Sequence, residues 1–145
     1  MAGLVYALGR VLMSLVFIVS GYQNFLNIAD VARALAAKNI PVPIGLESWT
    51  GMPRYDFVAH ALALIQIVFG MMVLIGFKAR FAAVILVLLT LGTTFISSDF
   101  WTMEGAARAL NETRALENLS LVGALFLIAA AGAGPWSFDG RARGD

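Results

Sequence analysis

Residues 57–77 read FVAHALALIQIVFGMMVLIGF, 21 positions without one Asp, Glu, Lys or Arg. A helix of that length rises about 30 Å, the thickness of a bilayer's hydrocarbon core. Three other windows have the same character: residues 11–29, 81–98 and 118–138, of 19, 18 and 21 residues. All ten basic and all nine acidic residues lie outside the four windows. The pattern predicts an all-α integral membrane protein. Its spans are expected at about residues 4–25, 55–77, 81–98 and 115–131, joined by short connections into an antiparallel four-helix bundle.

Composition points the same way. Apolar residues make up 60 % of the chain and charged residues 13 %, against about half and a quarter in a soluble domain. The 145 residues form one transmembrane domain, 1–145, with no room for a second. There is no cysteine and only one histidine. Thiol chemistry within the chain is excluded, and no metal site built on several histidines is expected. A formal net charge of +1 without basic runs argues against nucleic-acid binding. No small-x-small cleavage site follows the first apolar run, so the first span is expected to stay in the mature protein.

Between the first two spans, Val31, Ala32, Leu35 and Ala36 recur at helical spacing, with Asp30, Arg33 and Lys38 between them. This predicts a short amphipathic helix lying in the membrane interface, ended by Pro41 and Pro43. A loop containing Trp49 follows. Lys78-Ala79-Arg80 makes a tight turn. Residues 99–114 form a polar loop with a helical piece expected at 103–110. Gly132-Ala133-Gly134-Pro135 ends the fourth span, and Trp136 and Phe138 fit an interfacial anchor. Gly70, Gly76, Gly92 and Gly123 are expected where helices approach closely. Arg10 is expected to snorkel to the head groups along its aliphatic stem, with a buried functional role as the alternative.

An even number of spans puts both termini on one side. Lys78, Arg80, Arg141, Arg143 and Arg10 lie on that side; Arg33, Lys38, Arg54, Arg108 and Arg114 lie on the other. The count is a tie, but the first group is packed into a tiny turn and a short tail. That density favours N-in/C-in.

The same parity gathers the polar residues. The end of span one, the start of span two, the end of span three and the start of span four share one membrane side. There sit Tyr22, Gln23 and Asn24; Asp56 and His60; Ser97, Ser98 and Asp99; and Asn118 with Ser120. Asp56 and His60, four apart on one helix face, would make a proton-handling pair. Gln66 and Thr90, Thr93 and Thr94 reach deeper. The candidate ligand-binding set is Tyr22, Asp56, His60, Gln66, Ser98, Asp99, Trp101 and Asn118. The competing reading is ordinary interfacial polarity, with threonine hydroxyls bonded to their own helices. Gln66 is too deep for that reading to cover everything.

Read in order, several segments resemble the DoxX family of small four-span membrane proteins. They are residues 9–25, with Ser20-Gly21-Tyr22 and Phe25 at their end; Ile40-Pro41-Val42-Pro43; residues 70–80; Asp99-Phe100-Trp101; residues 118–123; and Gly134-Pro135-Trp136-Ser137-Phe138-Asp139. The resemblance covers nearly the whole chain. It implies a bacterial inner-membrane location and a link to quinone-linked or respiratory oxidoreductase systems. Against the family pattern, Gln66 stands where many relatives carry glutamate and Ser98 where they carry histidine. Asn24 and Glu117 stand where they carry lysine. With those groups replaced, the chain is expected to be an accessory or scaffold subunit of a membrane redox system, not an enzyme, with no catalytic residues of its own. Its partners would be the lipid bilayer and a membrane protein or further copies of itself. The alternative is a binding protein for a quinone, lipid or other small amphiphile at the polar bundle end; a transporter or channel is less favoured. No cofactor is expected, a quinone excepted.

Overall fold

A computed structural model describes residues 2–97, 102–134 and 136–142. Every regular element among them is a helix: α1 (Ala2–Leu26), α2 (Ile28–Ala37), α3 (Leu46–Thr50), α4 (Arg54–Ile75), α5 (Ala79–Ser97), α6 (Gly105–Ala131) and α7 (Phe138–Ala142). Four of them, α1, α4, α5 and α6, are long and apolar enough to cross a membrane. The chain is an integral membrane protein. The predicted interfacial helix is α2. The helical piece expected at 103–110 is no separate element: it is the beginning of α6, which runs unbroken for 27 residues. The short helices α3 and α7 were not foreseen. Five residues each, they are too short to carry a periodic signal.

The bundle consists of two helix pairs. α1 packs along α4, and α5 packs along α6; α4 and α5 join the pairs, whereas the backbones of α1 and α6 approach each other at few points. The first pair closes on glycine. A Cβ at Gly21 would lie 2.8 Å from Ile67 Cγ1, and one at Gly70 would lie 3.1 Å from Ile18 Cγ1. The expectation holds for Gly70; Gly76 is also crowded, but by Arg10 and the segment after α6 and not by another helix, and at Gly92 and Gly123 a Cβ would meet nothing within 4 Å among the described residues. Met13 and Phe17 from α1, Val73 from α4, Leu86 and Val87 from α5, and Val122, Leu125 and Ile128 from α6 form the shared core. Small side chains, Ala79, Ala82 and Ala83, fill the α5 side and are fully buried. Many large apolar residues are exposed, as Leu12, Leu88 and Leu127 are. That is the distribution lipid permits and water would penalise.

Local chemistry sets the ends of the elements. The chain turns from α1 into α2 at Asn27, whose side chain bonds Gln23 O at 2.8 Å. α2 buries Ala32 and Leu35 against Ala59 of α4, with Val31, Val58 and Leu62 around them. Its other face is charged, with Arg33 and Asp30 paired at 3.0 Å in the open. It stops at Asn39, which takes a left-handed φ of +47°, a conformation asparagine tolerates better than most residues. α4 ends at Gly76 (φ +72°) with Phe77 N–H bonded to Met72 O at 3.0 Å, the 6→1 bond of a Schellman close.

Candidate functional site

The spans bring polar groups together at both ends of the bundle. At the α2 end two amide-bearing pairs cross between helices. Asn24 of α1 donates to Gln66 Oε1 of α4 at 3.0 Å. Asn118 of α6 donates to Thr94 Oγ1 of α5 at 2.7 Å. Each satisfies, inside a pair of spans, groups that would otherwise face hydrocarbon. Gln66 therefore has a local reason to sit deep: it is the acceptor for Asn24.

His60 is half-buried, with its ring edge-on to Phe25 at a centroid distance of 5.8 Å. Its Nδ1 lies 2.8 Å from the backbone carbonyl of Asp56. The spacing does bring the two residues together, but the carbonyl takes the place foreseen for the carboxylate. With Nδ1 facing a carbonyl, the neutral ring carries its proton there and leaves Nε2 as the acceptor. Tyr22 is exposed. Ser98, Asp99 and Trp101 lie outside the described residues.

Beside these pairs is a cavity of about 400 Å³. It is a cleft between α2 and α5, with Leu62 of α4 and Asn24 of α1 on its wall. Val31, Ala34, Leu35 and Ile96 make it apolar; Asn24, Lys38, Thr93 and Ser97 supply polar atoms. Thr93 donates its hydroxyl hydrogen to Leu89 O at 2.9 Å, and Ser97 donates to Thr93 O. Their oxygen lone pairs therefore remain as acceptors, while Asn24 keeps a second N–H and its carbonyl oxygen. The cavity lies at the bundle end that parity singled out. Of the candidate set described here, Tyr22, Asp56, His60, Gln66 and Asn118 are not on its wall; Gln66 reaches it only through Asn24. The sequence signal for this cleft was α2 itself: an amphipathic helix laid over a span leaves a seam along its edge. Among the described residues no three of His, Asp and Glu converge as metal ligands would.

The opposite end carries a second constellation. Arg10, far from snorkelling, is only 5 % exposed. Its guanidinium donates to Ala133 O and, at 2.7 Å, to Trp136 O. Tyr6 donates its hydroxyl to Gly132 O. The segment after α6 thus turns back beneath the bundle and solvates a buried cation with its carbonyls. Asp139 completes the fold-back: its carboxylate accepts from Lys78 N–H at 2.9 Å and Ala79 N–H at 3.0 Å. A carboxylate on the first free amides of a helix also meets the positive end of its dipole. Ser137, buried, donates to Gly134 O at 2.5 Å and accepts from Gly140 N–H at 2.9 Å.

The DoxX family model matches residues 5–99 of the chain. The chain is 26 % identical over 134 residues to inner membrane protein YphA of Escherichia coli (strain K12), covering 92 % of this chain and 87 % of that protein. It is 26 % identical over 131 residues to inner membrane protein YqjF of the same strain, covering 90 % and 85 %. A shorter stretch of 70 residues is 39 % identical to the Surfeit locus protein 4 homolog of Schizosaccharomyces pombe (strain 972 / ATCC 24843), 47 % of this chain and 23 % of that one. No solved structure matches significantly.

Proposed function

Because the chain belongs to the DoxX family, whose similarity leaves activity open, we propose from the site itself that it binds a small amphiphile in the cleft between α2 and α5. The observation that carries this reading is the cleft: about 400 Å³, within the roughly 300–1,000 Å³ of ordinary ligand pockets. Its chemistry suits a head group with carbonyl or hydroxyl oxygens, such as a quinone ring or a neutral lipid head. Asn24 offers a donor and an acceptor, Thr93 and Ser97 offer acceptors, and Val31, Leu35, Leu62 and Ile96 receive an apolar body. A long tail would have to leave the cleft for the bilayer. The membrane is the bacterial inner membrane, the location in the names of YphA and YqjF, and the orientation is N-in/C-in, with the dense Lys78–Arg80 turn on the cytoplasmic side.

Native mass spectrometry of the gently solubilised protein tests the reading. A bound amphiphile should be retained by the wild-type chain and lost in Ile96→Trp, which fills the cleft. Retention in both, or a bare wild-type mass, would refute it. A second reading, an accessory subunit of a membrane redox system, draws on α6. The stretch from residue 105 to 110 is exposed throughout and carries Arg108, a surface on which a partner subunit can dock. The same spectra would report such a subunit as additional mass.

A further inference from the structure

We infer that the segment after α6 is a clasp: through Arg10 and Tyr6 it holds the α5–α6 pair shut against the α1–α4 pair, and its release lets α1 part from α6. The inference stands apart from the cleft and does not depend on it. Three observations converge. First, the two pairs are unequally joined. α4 meets α5 along one seam, but α1 and α6 come close at few backbone points, although Met13 and Phe17 of α1 share one core cluster with Val122, Leu125 and Ile128 of α6. Secondly, the hydrogen bonds linking α1 to the α6 side run to carbonyls of residues 132, 133 and 136, all beyond the last turn of α6. Thirdly, the segment is seated by shape. A Cβ at Gly76 would lie 3.0 Å from Arg10 Nη1 and 3.1 Å from Ala133 Cβ, and one at Gly134 would lie 2.6 Å from the Tyr6 ring. Asp139 anchors the far end at the α4–α5 turn.

The clasp holds by charge-assisted bonds in a site of low dielectric, where they are strong while made. It is also incompletely satisfied. Among the described residues Arg10 Nε is buried with no partner, so the closed state carries a cost that an open, hydrated guanidinium would not. Strong bonds beside an unmet donor describe a closure that competes with an alternative state, in a place where a hydrocarbon side chain would have closed the seam without such a cost.

The chain has no native cysteine, so spin-label pairs can be placed cleanly. Leu8→Cys with Leu127→Cys reports across the α1–α6 seam; Leu8→Cys with Met71→Cys reports within the α1–α4 pair. All three positions are exposed. Two variants disturb the clasp independently: Arg10→Gln shortens the donor and removes its charge, and Gly134→Val drives a side chain into the Tyr6 ring. In nanodiscs, both should move the 8–127 distances longer by several ångströms and broaden them, leaving 8–71 unchanged. An unchanged 8–127 distribution in both variants overturns the inference. So does a change in 8–127 and 8–71 together, because Arg10 would then support the whole fold and not one seam.

Discussion

At the scale of single residues, the structure separates positions that look alike in sequence. Gly21 and Gly123 both lie in apolar spans, yet a Cβ at the first meets Ile67 and Ala63 and a Cβ at the second meets nothing within 4 Å among the described residues. Gly21→Leu should therefore destabilise the protein by about 1–3 kcal/mol, the usual cost of overpacking, while Gly123→Leu should leave thermal unfolding in detergent nearly unchanged. Asn24 and Gln66 make a second prediction. A double-mutant cycle with Asn24→Leu and Gln66→Leu should give a coupling of about 0.5–1.5 kcal/mol, in the range of interhelical bonds within membranes; zero coupling would return both residues to independent roles. These partnerships were half legible. The depth of Gln66 marked it as needing a reason, but a residue 42 positions away is not readable from spacing. Arg10 was misread for the same cause. A cation near the beginning of a span ordinarily snorkels, and only the return of the chain 123 residues later supplies carbonyls that keep it inside.

At the scale of elements, lipid made the spans easy to read. The hydrocarbon core demands length without charge, and that demand is written directly in residues 57–77 and the three companion windows. Elements outside the core face weaker demands. α3, framed by Gly45 and Gly51 in left-handed conformations, and α7 have no such signature. The α2 prediction succeeded because one face must bury Ala32 and Leu35 while the other meets water. The start of α5 holds a further consequence. Its first amides are capped by Asp139, a side chain 60 and 61 positions downstream. Asp139→Ala should cost about 0.5–2 kcal/mol, as lost N-caps do. It should also raise hydrogen exchange selectively at Lys78 and Ala79, with the amides of the α4 interior unaffected. Uniform exchange across the bundle would show that Asp139 supports more than this one helix end.

At the scale of the whole molecule, the two ends of the bundle differ in how their polar groups are bonded. The α2 end holds a cleft with unspent hydrogen-bonding capacity, and the opposite end spends its polar groups on holding the chain to itself. The orientation proposed for these ends can be checked with single cysteines in the cysteine-free chain. Ile44→Cys, at an almost fully exposed site, should react with a membrane-impermeant thiol reagent added to intact cells, and Lys78→Cys should react only after permeabilisation; the reverse pattern would invert the topology. The location in a membrane was legible because composition alone decides it. The contrast in bonding between the ends was not, because it depends on where the final segment returns. That return has a consequence for how the protein is made. A ribosome delivers Ala133 and Trp136 only 123 and 126 positions after Arg10. While those intervening residues are made, the guanidinium lacks its permanent acceptors, so water, phosphate head groups or the insertion machinery must host it until the segment after α6 emerges.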